Sequence, residues 1–180
     1  TNDGISKTNA GGAAAAAYEG AMQCYGEAIC LFRAAGAVEV AVELLLKVAA
    51  RREHEKTPSA FALCAEAYEE ALHLLIIRHD LQQADEVYRH YICSLVRAKE
   101  LQKALSVVFR RVECLYTLRR FDALHKCILT AVFLFLEMGQ TALADRTLSG
   151  QEVMQTLNHR HNAVYCCISD SSILPRCPSS

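Results

Sequence analysis

The side chains best suited to metal or thiol chemistry lie near the C-terminus. This group consists of His159, His161, Cys166, Cys167 and Cys177. Thiolates and imidazoles are the usual ligands of zinc, but the group lacks the Cys-x-x-Cys pairs that commonly build a tetrahedral site. We therefore expect no metal and no cofactor, and we interpret the segment as an irregular tail with exposed thiols. A metal-binding or redox module centred on this tail is kept as a third functional hypothesis.

Catalytic patterns are weak elsewhere in the chain. His125 and Cys127 are only two positions apart, so on a helix they point to different faces and cannot form a nucleophile–base pair. The sequence contains no Gly-rich phosphate loop, no His-Glu-x-x-His helix and no Gly-x-Ser-x-Gly elbow. We therefore expect neither an enzyme nor a small-molecule substrate. The cysteines that stand singly inside helical patterns are interpreted as buried apolar residues in a reducing compartment.

Basic residues recur near the ends of the predicted helices. Compensation of helix dipoles explains most residues of this kind. Equivalent residues of successive repeats lie on the same side of a helical array. The basic residues could therefore instead form a basic strip suited to an acidic helical partner. The predicted strip consists of Arg51, Arg52, Arg97, Lys99, Arg110, Arg111, Arg119 and Arg120. Arg52 stands out because it occupies a core-facing position that is apolar in the other repeats.

Composition favours helices and excludes several classes of function. The 180 residues carry a formal net charge of −1, which favours neither nucleic acid nor an anionic membrane. Helix formers dominate, with only 3 Pro and 8 Gly. The longest apolar run, Ile128–Leu136, is about half of what a membrane-spanning helix needs. No secretory signal opens the chain, and we expect a cytoplasmic protein that associates with membranes peripherally, through its partners.

One pattern recurs along most of the chain. An apolar or aromatic residue is followed three positions later by a small residue and seven positions later by another apolar one, which places all three on one helix face. The units begin at residues 18, 38, 61, 81, 101, 121 and 141. The interval before residue 61 is longer and contains Thr57, expected to cap a helix, and Pro58, expected in its first turn.

These units predict an all-α fold. The connections between them are short, so neighbouring helices must run antiparallel, and each helical hairpin must stack on the next to bury its apolar face. The predicted architecture is a right-handed, tetratricopeptide-like stack of antiparallel helical hairpins. We assign residues 1–15 to a disordered N-terminal segment, 16–150 to the repeat domain, and 151–180 to a short helix and irregular tail. The odd number of helices suggests that the array continues beyond this chain.

The stretch Tyr25–Glu53, YGEAICLFRAAGAVEVAVELLLKVAARRE, resembles the soluble NSF attachment proteins, most closely the gamma-SNAP form. The matching positions are Tyr25, Gly26, Ala28, Phe32, Ala35, Glu39, Ala41, Leu46, Ala49 and Glu53. The later stretches AEAYEEA, DLQQADEVY and ELQKALSV fit the same register, as does GQTALADR more loosely. The resemblance covers residues 18–148, and its motifs are partly shared with generic tetratricopeptide-like repeats.

The resemblance implies a vesicle-trafficking adaptor without catalytic residues. Members of this family lie along a four-helix SNARE bundle through a basic concave face, and they couple it to the ATPase NSF through an acidic C-terminal segment. This chain is shorter than a full member, begins inside what would be the first hairpin, and ends in SILPRCPSS. The leading hypothesis is a SNARE-binding adaptor that recruits the ATPase. The alternative is another helical-repeat scaffold with a different protein partner.

Overall fold

The computed structural model describes residues 5–150, with side chains from residue 16 onward. Over this range the chain forms seven α-helices and no β-strand, which confirms the predicted fold class. The helices are α1 (Ile5–Ala34), α2 (Val38–Glu53), α3 (Pro58–Ile77), α4 (Leu81–Arg97), α5 (Leu101–Thr117), α6 (Phe121–Glu137) and α7 (Thr141–Leu148). The predicted short helix and irregular tail at 151–180 lie outside the described residues.

The starts of most helices agree with the repeat pattern. Helices α2, α4, α5, α6 and α7 begin at the residues where their units begin. Helix α3 begins at Pro58, and the Thr57 side-chain oxygen accepts a hydrogen bond from the Ala60 backbone N–H at 3.1 Å, as expected of a capping residue. Asp80 caps α4 in the same way through the Gln83 N–H, also at 3.1 Å.

The same turn connects successive helices at five places. Each turn has one residue with positive φ, namely Gly36, His79, Lys99, Arg119 or Gly139. The N–H of the next residue then bonds to a carbonyl five positions back, as in Ala37 to Phe32 at 2.9 Å and Gln140 to Phe135 at 2.8 Å. This arrangement is a Schellman motif, which ends one helix and lets the next begin after a single linking residue. Helices α4, α5 and α6 each have 17 residues, so this turn makes the helices from α4 onward begin every 20 residues.

Helix α1 differs from the prediction in both its start and its packing face. It begins at Ile5, so helical backbone extends through most of the segment assigned to a disordered N-terminus. The run Ala13–Ala17 has the highest intrinsic helix propensity and favours this extension. Ala21, predicted to be a small packing residue, is exposed, and its neighbour Met22 is buried instead. Helix α1 packs on α2, and within residues 16–34 its buried apolar side chains are Met22 and Ile29.

The described chain divides into two compact units, with the division between Ala104 and Leu105 inside α5. In the first unit, α1 packs on α2, α2 on α3 and α3 on α4. Small residues lie fully buried where the repeat predicts helix contacts, and large side chains fill the space around them. The small residues are Ala41, Cys64, Ala84 and Ala104, and the large ones include Val42, Leu72, Leu75, Tyr91 and Leu95.

The second unit contains most of α5 together with α6 and α7, and α6 packs on α7. Its core consists of Val107, Val108, Val112, Leu115, Cys127, Ala131, Leu134, Phe135 and Ala144. The rings of Phe109 and Phe135 meet at 6.4 Å between centroids. The Cys127 thiol donates to the Val108 carbonyl oxygen at 3.5 Å, which links α6 to α5 within this unit.

Candidate functional site

Two adjoining open clefts lie between α1 and α2, each with a volume of about 450 Å³. Both are lined by Arg51 and His54, two exposed residues near the C-terminal end of α2. One cleft adds Tyr18 and Glu55, and the other adds Tyr25, Lys47 and Ala50. The pair therefore places cationic and imidazole groups beside two phenol rings on one exposed face of the first unit.

Hydrogen bonds engage two groups at these clefts and raise the pKa of each. The Tyr18 hydroxyl donates to Glu55 Oε1 at 2.6 Å, and this bond to a carboxylate raises the pKa of Tyr18, so the phenol stays neutral. Lys47 lies 2.8 Å from Glu43 Oε1, one helical turn away. The hydrogen bond in this pair raises the pKa of Lys47 and lowers that of Glu43, so both remain charged at neutral pH.

Exposed side chains of α4 repeat the register of those on α2. Helices α2 and α4 begin at residues 38 and 81, so Lys47 corresponds to His90 and His54 corresponds to Arg97. All four of these side chains are exposed. We use the term basic face for Lys47, Arg51, His54, His90 and Arg97.

A polar cluster links α2, α3 and α4. The Ser94 hydroxyl of α4 donates to Glu53 Oε1 of α2 at 3.0 Å, and the Tyr68 hydroxyl of α3 donates to the same oxygen at 3.2 Å. Burial, followed by the Glu53 charge, raises the pKa of Tyr68 well above its ordinary value, so this phenol stays protonated and keeps donating. The His90 ring stacks on Tyr68 with 6.1 Å between centroids. This cluster links the two halves of the basic face and fixes His90.

The predicted strip residues of the first unit take different positions. Arg51 is exposed and lines both clefts, whereas Arg52 is partly buried, as its core-facing register suggested. The Arg52 guanidinium lies near Tyr18 of α1 and Cys64 of α3, and its charge only partly offsets the effects that raise the pKa of these two groups. Arg97 lies over the Phe61 ring of α3, with its guanidinium carbon 5.4 Å from the ring centroid.

Lys99 and the remaining strip residues lie at turns or in the second unit. Lys99 is the positive-φ residue of the turn after α4. In the second unit, Arg110 and Arg111 are half-buried within α5, while Arg119 and Arg120 are exposed in the turn before α6. The structure therefore joins Arg51 to Lys47 and His54, which the doublet pattern missed. An alignment of α2 with α4 by register could have identified Lys47 and His54 from the sequence. It pairs Lys47 with His90 and His54 with Arg97, so each pair repeats a basic or imidazole side chain.

The buried cysteine of α3 is protected from thiolate chemistry. The Cys64 thiol donates to the Ala49 carbonyl oxygen at 3.2 Å, and burial raises the pKa of this thiol to about 11. It is therefore protonated at neutral pH and packs as a small apolar residue. Cys24, Cys30 and Cys93 are exposed free thiols, so the interpretation of the helical cysteines as buried apolar residues is wrong for these three.

Neither a metal cluster nor a spanning helix occurs in the described range. Residues 5–150 bring no three His, Cys, Asp or Glu side chains into a metal-binding arrangement. None of the helices there combines the length and the apolar character required to cross a bilayer. The Cys and His residues of the tail, from His159 to Cys177, lie outside this range.

Comparisons with known proteins return no relative: no protein-family model, curated protein or solved structure matches the chain.

Proposed function

We propose that this chain is a non-catalytic adaptor that binds an acidic helical bundle through the basic face. The observation that carries the proposal is the repetition of basic and imidazole side chains at matching, exposed positions of α2 and α4. A hydrogen bond from Ser94 of α4 to Glu53 of α2 links these two helices. A bundle of parallel helices presents its acidic side chains over several helical turns. A surface that places basic side chains on both α2 and α4 can contact such a bundle at more than one turn.

The partner that the sequence resemblance implies is the SNARE bundle, with an NSF-type ATPase recruited to it. Membrane association then arises through these partners. The alternative is a helical-repeat scaffold that uses the same basic face for a different acidic protein. Both hypotheses assign binding to the first unit, and they differ only in which partner binds.

The contact is expected to be mainly electrostatic, since the basic face is exposed and its clefts are open. Charges of this kind govern association rate and salt dependence more than residence time. We therefore expect affinity to fall steeply with ionic strength. Near 1 M salt, where the screening length is about 3 Å, the contribution of these charges should largely disappear.

The test is the double substitution Arg51→Glu with His54→Glu, here called the double reversal, because it places acidic side chains at both residues shared by the two clefts. Binding of assembled SNARE bundle is measured across a salt series. We expect roughly tenfold weaker binding at low salt and a difference that shrinks towards 1 M. The matched control is Arg51→Lys with His54→Gln, which keeps the cation at position 51 and should bind nearly as the parent does. Circular dichroism verifies that each variant is folded.

Two outcomes bear on the proposal in different ways. Parental binding by the folded double reversal at every salt concentration would remove the basic face from the interface. If an unrelated acidic helical bundle binds as tightly as the SNARE bundle, the scaffold alternative replaces the SNARE assignment. A second reversal, Arg110→Glu with Arg119→Glu, determines whether the predicted strip extends into the second unit.

A further inference from the structure

Helix α6 carries apolar side chains on both of its faces. Its inner face is buried and includes Leu124, Cys127, Ala131, Leu134 and Phe135. On the opposite face, Leu129, Phe133 and Leu136 are 46%, 68% and 48% exposed. These three residues are spaced by four and three positions, so they form one continuous row along the helix. We call this row the outer stripe of α6.

Single exposed apolar residues are common on protein surfaces, but a contiguous row is not. A helix that is apolar all round is normally covered on every side. The outer stripe lies opposite the core of the second unit and therefore predicts a partner that covers it.

The charges beside the outer stripe indicate what that partner is. Lys126 lies one turn before Leu129, and Glu137 lies one turn after Phe133. Both charged residues are exposed, and neither takes part in an ion pair within residues 16–150. The stripe is thus basic at its beginning, acidic at its end and apolar between them. A second copy running in the opposite direction would match all three features.

We propose that the outer stripe is a self-association surface on which a second copy of this chain packs antiparallel. Leu129 and Phe133 lie two residues on either side of position 131, and Lys126 and Glu137 lie five and six residues on either side of it. A two-fold axis at this level places Leu129 of one copy against Phe133 of the other. It also places Lys126 against Glu137, and each contact occurs twice, as two-fold symmetry requires.

The contact is small because each copy contributes one helix face. Interfaces at the low end of the size range are weak and reversible. We therefore expect a monomer–dimer equilibrium with a dissociation constant on the order of micromolar. This inference does not depend on the proposed function, since it concerns the second unit, whereas the basic face belongs to the first.

The experiment is sedimentation velocity of the full chain across a concentration series, in reducing buffer so that the exposed cysteines form no disulfides. The parent should shift from monomer to dimer as concentration rises, and Phe133→Glu should stay monomeric throughout. Cys93→Glu is the matched control, because Cys93 is exposed at the corresponding register of α4. It should dimerise as the parent does.

A charge exchange tests the antiparallel geometry. Lys126→Glu and Glu137→Lys should each weaken dimerisation by roughly fivefold, because each places two like-charge pairs at the interface. The double variant, with both changes, should restore the parental dissociation constant to within about twofold, since it reverses both partners of every pair. Restoration would not be expected if the two residues were remote from each other in the dimer.

Three results would overturn the inference. The first is a dimer that survives Phe133→Glu. The second is a parent that stays monomeric while Phe133→Glu lowers its melting temperature, which would show that another part of the same chain covers the stripe. The third is a monomeric parent whose melting temperature Phe133→Glu leaves unchanged, which would assign the stripe to a different protein.

Discussion

Helices α4 and α6 occupy the same place in the repeat but present different chemistry to solvent. They begin forty residues apart, at Leu81 and Phe121, and both bury their inner faces. On the outer face, Arg89 and Cys93 of α4 correspond to Leu129 and Phe133 of α6. The inner face is constrained by packing within the fold, whereas the outer face is free to specify a partner. The two units therefore expose different chemistry at equivalent positions, and the two proposed contacts use this difference.

The first prediction tests whether the inner faces are equally constrained. Ala84 of α4 and Ala131 of α6 are fully buried, so Ala84→Leu and Ala131→Leu should each overpack a helix contact. We expect each change to lower the free energy of unfolding by ~1–3 kcal/mol. Ala21→Leu is the matched control, because Ala21 is exposed and its enlargement should change stability by less than about 0.5 kcal/mol.

Chemical denaturation of these three variants measures the effects. If the two core variants unfold at the parental midpoint, the inner faces are looser than the structure indicates. If only one of them is destabilised, α4 and α6 differ on their buried faces as well as on their exposed ones. The comparison between the two helices, which assumes equally constrained buried faces, would then not hold.

The second prediction concerns the turns, which are alike in both units. Gly36 and Gly139 have φ values of 76° and 73°, and a Cβ added at either position meets nothing within 4 Å. Gly36→Ala or Gly139→Ala should therefore lower the free energy of unfolding by about 1 kcal/mol, and the whole effect should come from the strained backbone conformation. Gly26, inside α1, also has open space around it, so Gly26→Ala should instead stabilise the protein by roughly 0.5–1 kcal/mol.

Thermal melts of the three glycine variants distinguish these opposite signs. A stabilising effect at position 36 or 139 would mean that the residue does not adopt the left-handed conformation. The repeated Schellman turn would then not explain the constant spacing of the helices.

The sequence predicted the helices far better than it predicted their surfaces. Helix positions follow from the spacing of apolar and small residues, because the same type of turn forms five of the six connections between the helices of residues 5–150. Thr57 and Pro58 were recognised as a helix start for the same local reason. The exception is α1, where the alanine run extends the helix and the small residue Ala21 faces solvent. The repeat pattern alone therefore does not give the buried face of α1.

The candidate site was only partly predictable. Basic doublets identified Arg51, but Lys47 and His54 form no doublet, and their relation to Arg51 emerges from the cleft between α1 and α2. The bond between Glu53 and Ser94 joins residues 41 positions apart, and no local pattern predicts it. The outer stripe was visible as an apolar run, but the sequence alone did not separate its exposed residues from its buried ones.

The most direct test of the central claim is the alkylation of single thiols in the presence of SNARE bundle. Cys93 provides a native probe on α4, and Phe133→Cys provides one at the corresponding position of α6. Buried Cys64, whose pKa is about 11, serves as an unreactive internal reference. The alkylation rate of each thiol is measured by mass spectrometry, at a protein concentration low enough that the chain remains monomeric. We predict that saturating bundle slows the alkylation of Cys93 severalfold and leaves the rate at position 133 unchanged. Equal rates at Cys93 with and without bundle would contradict the account.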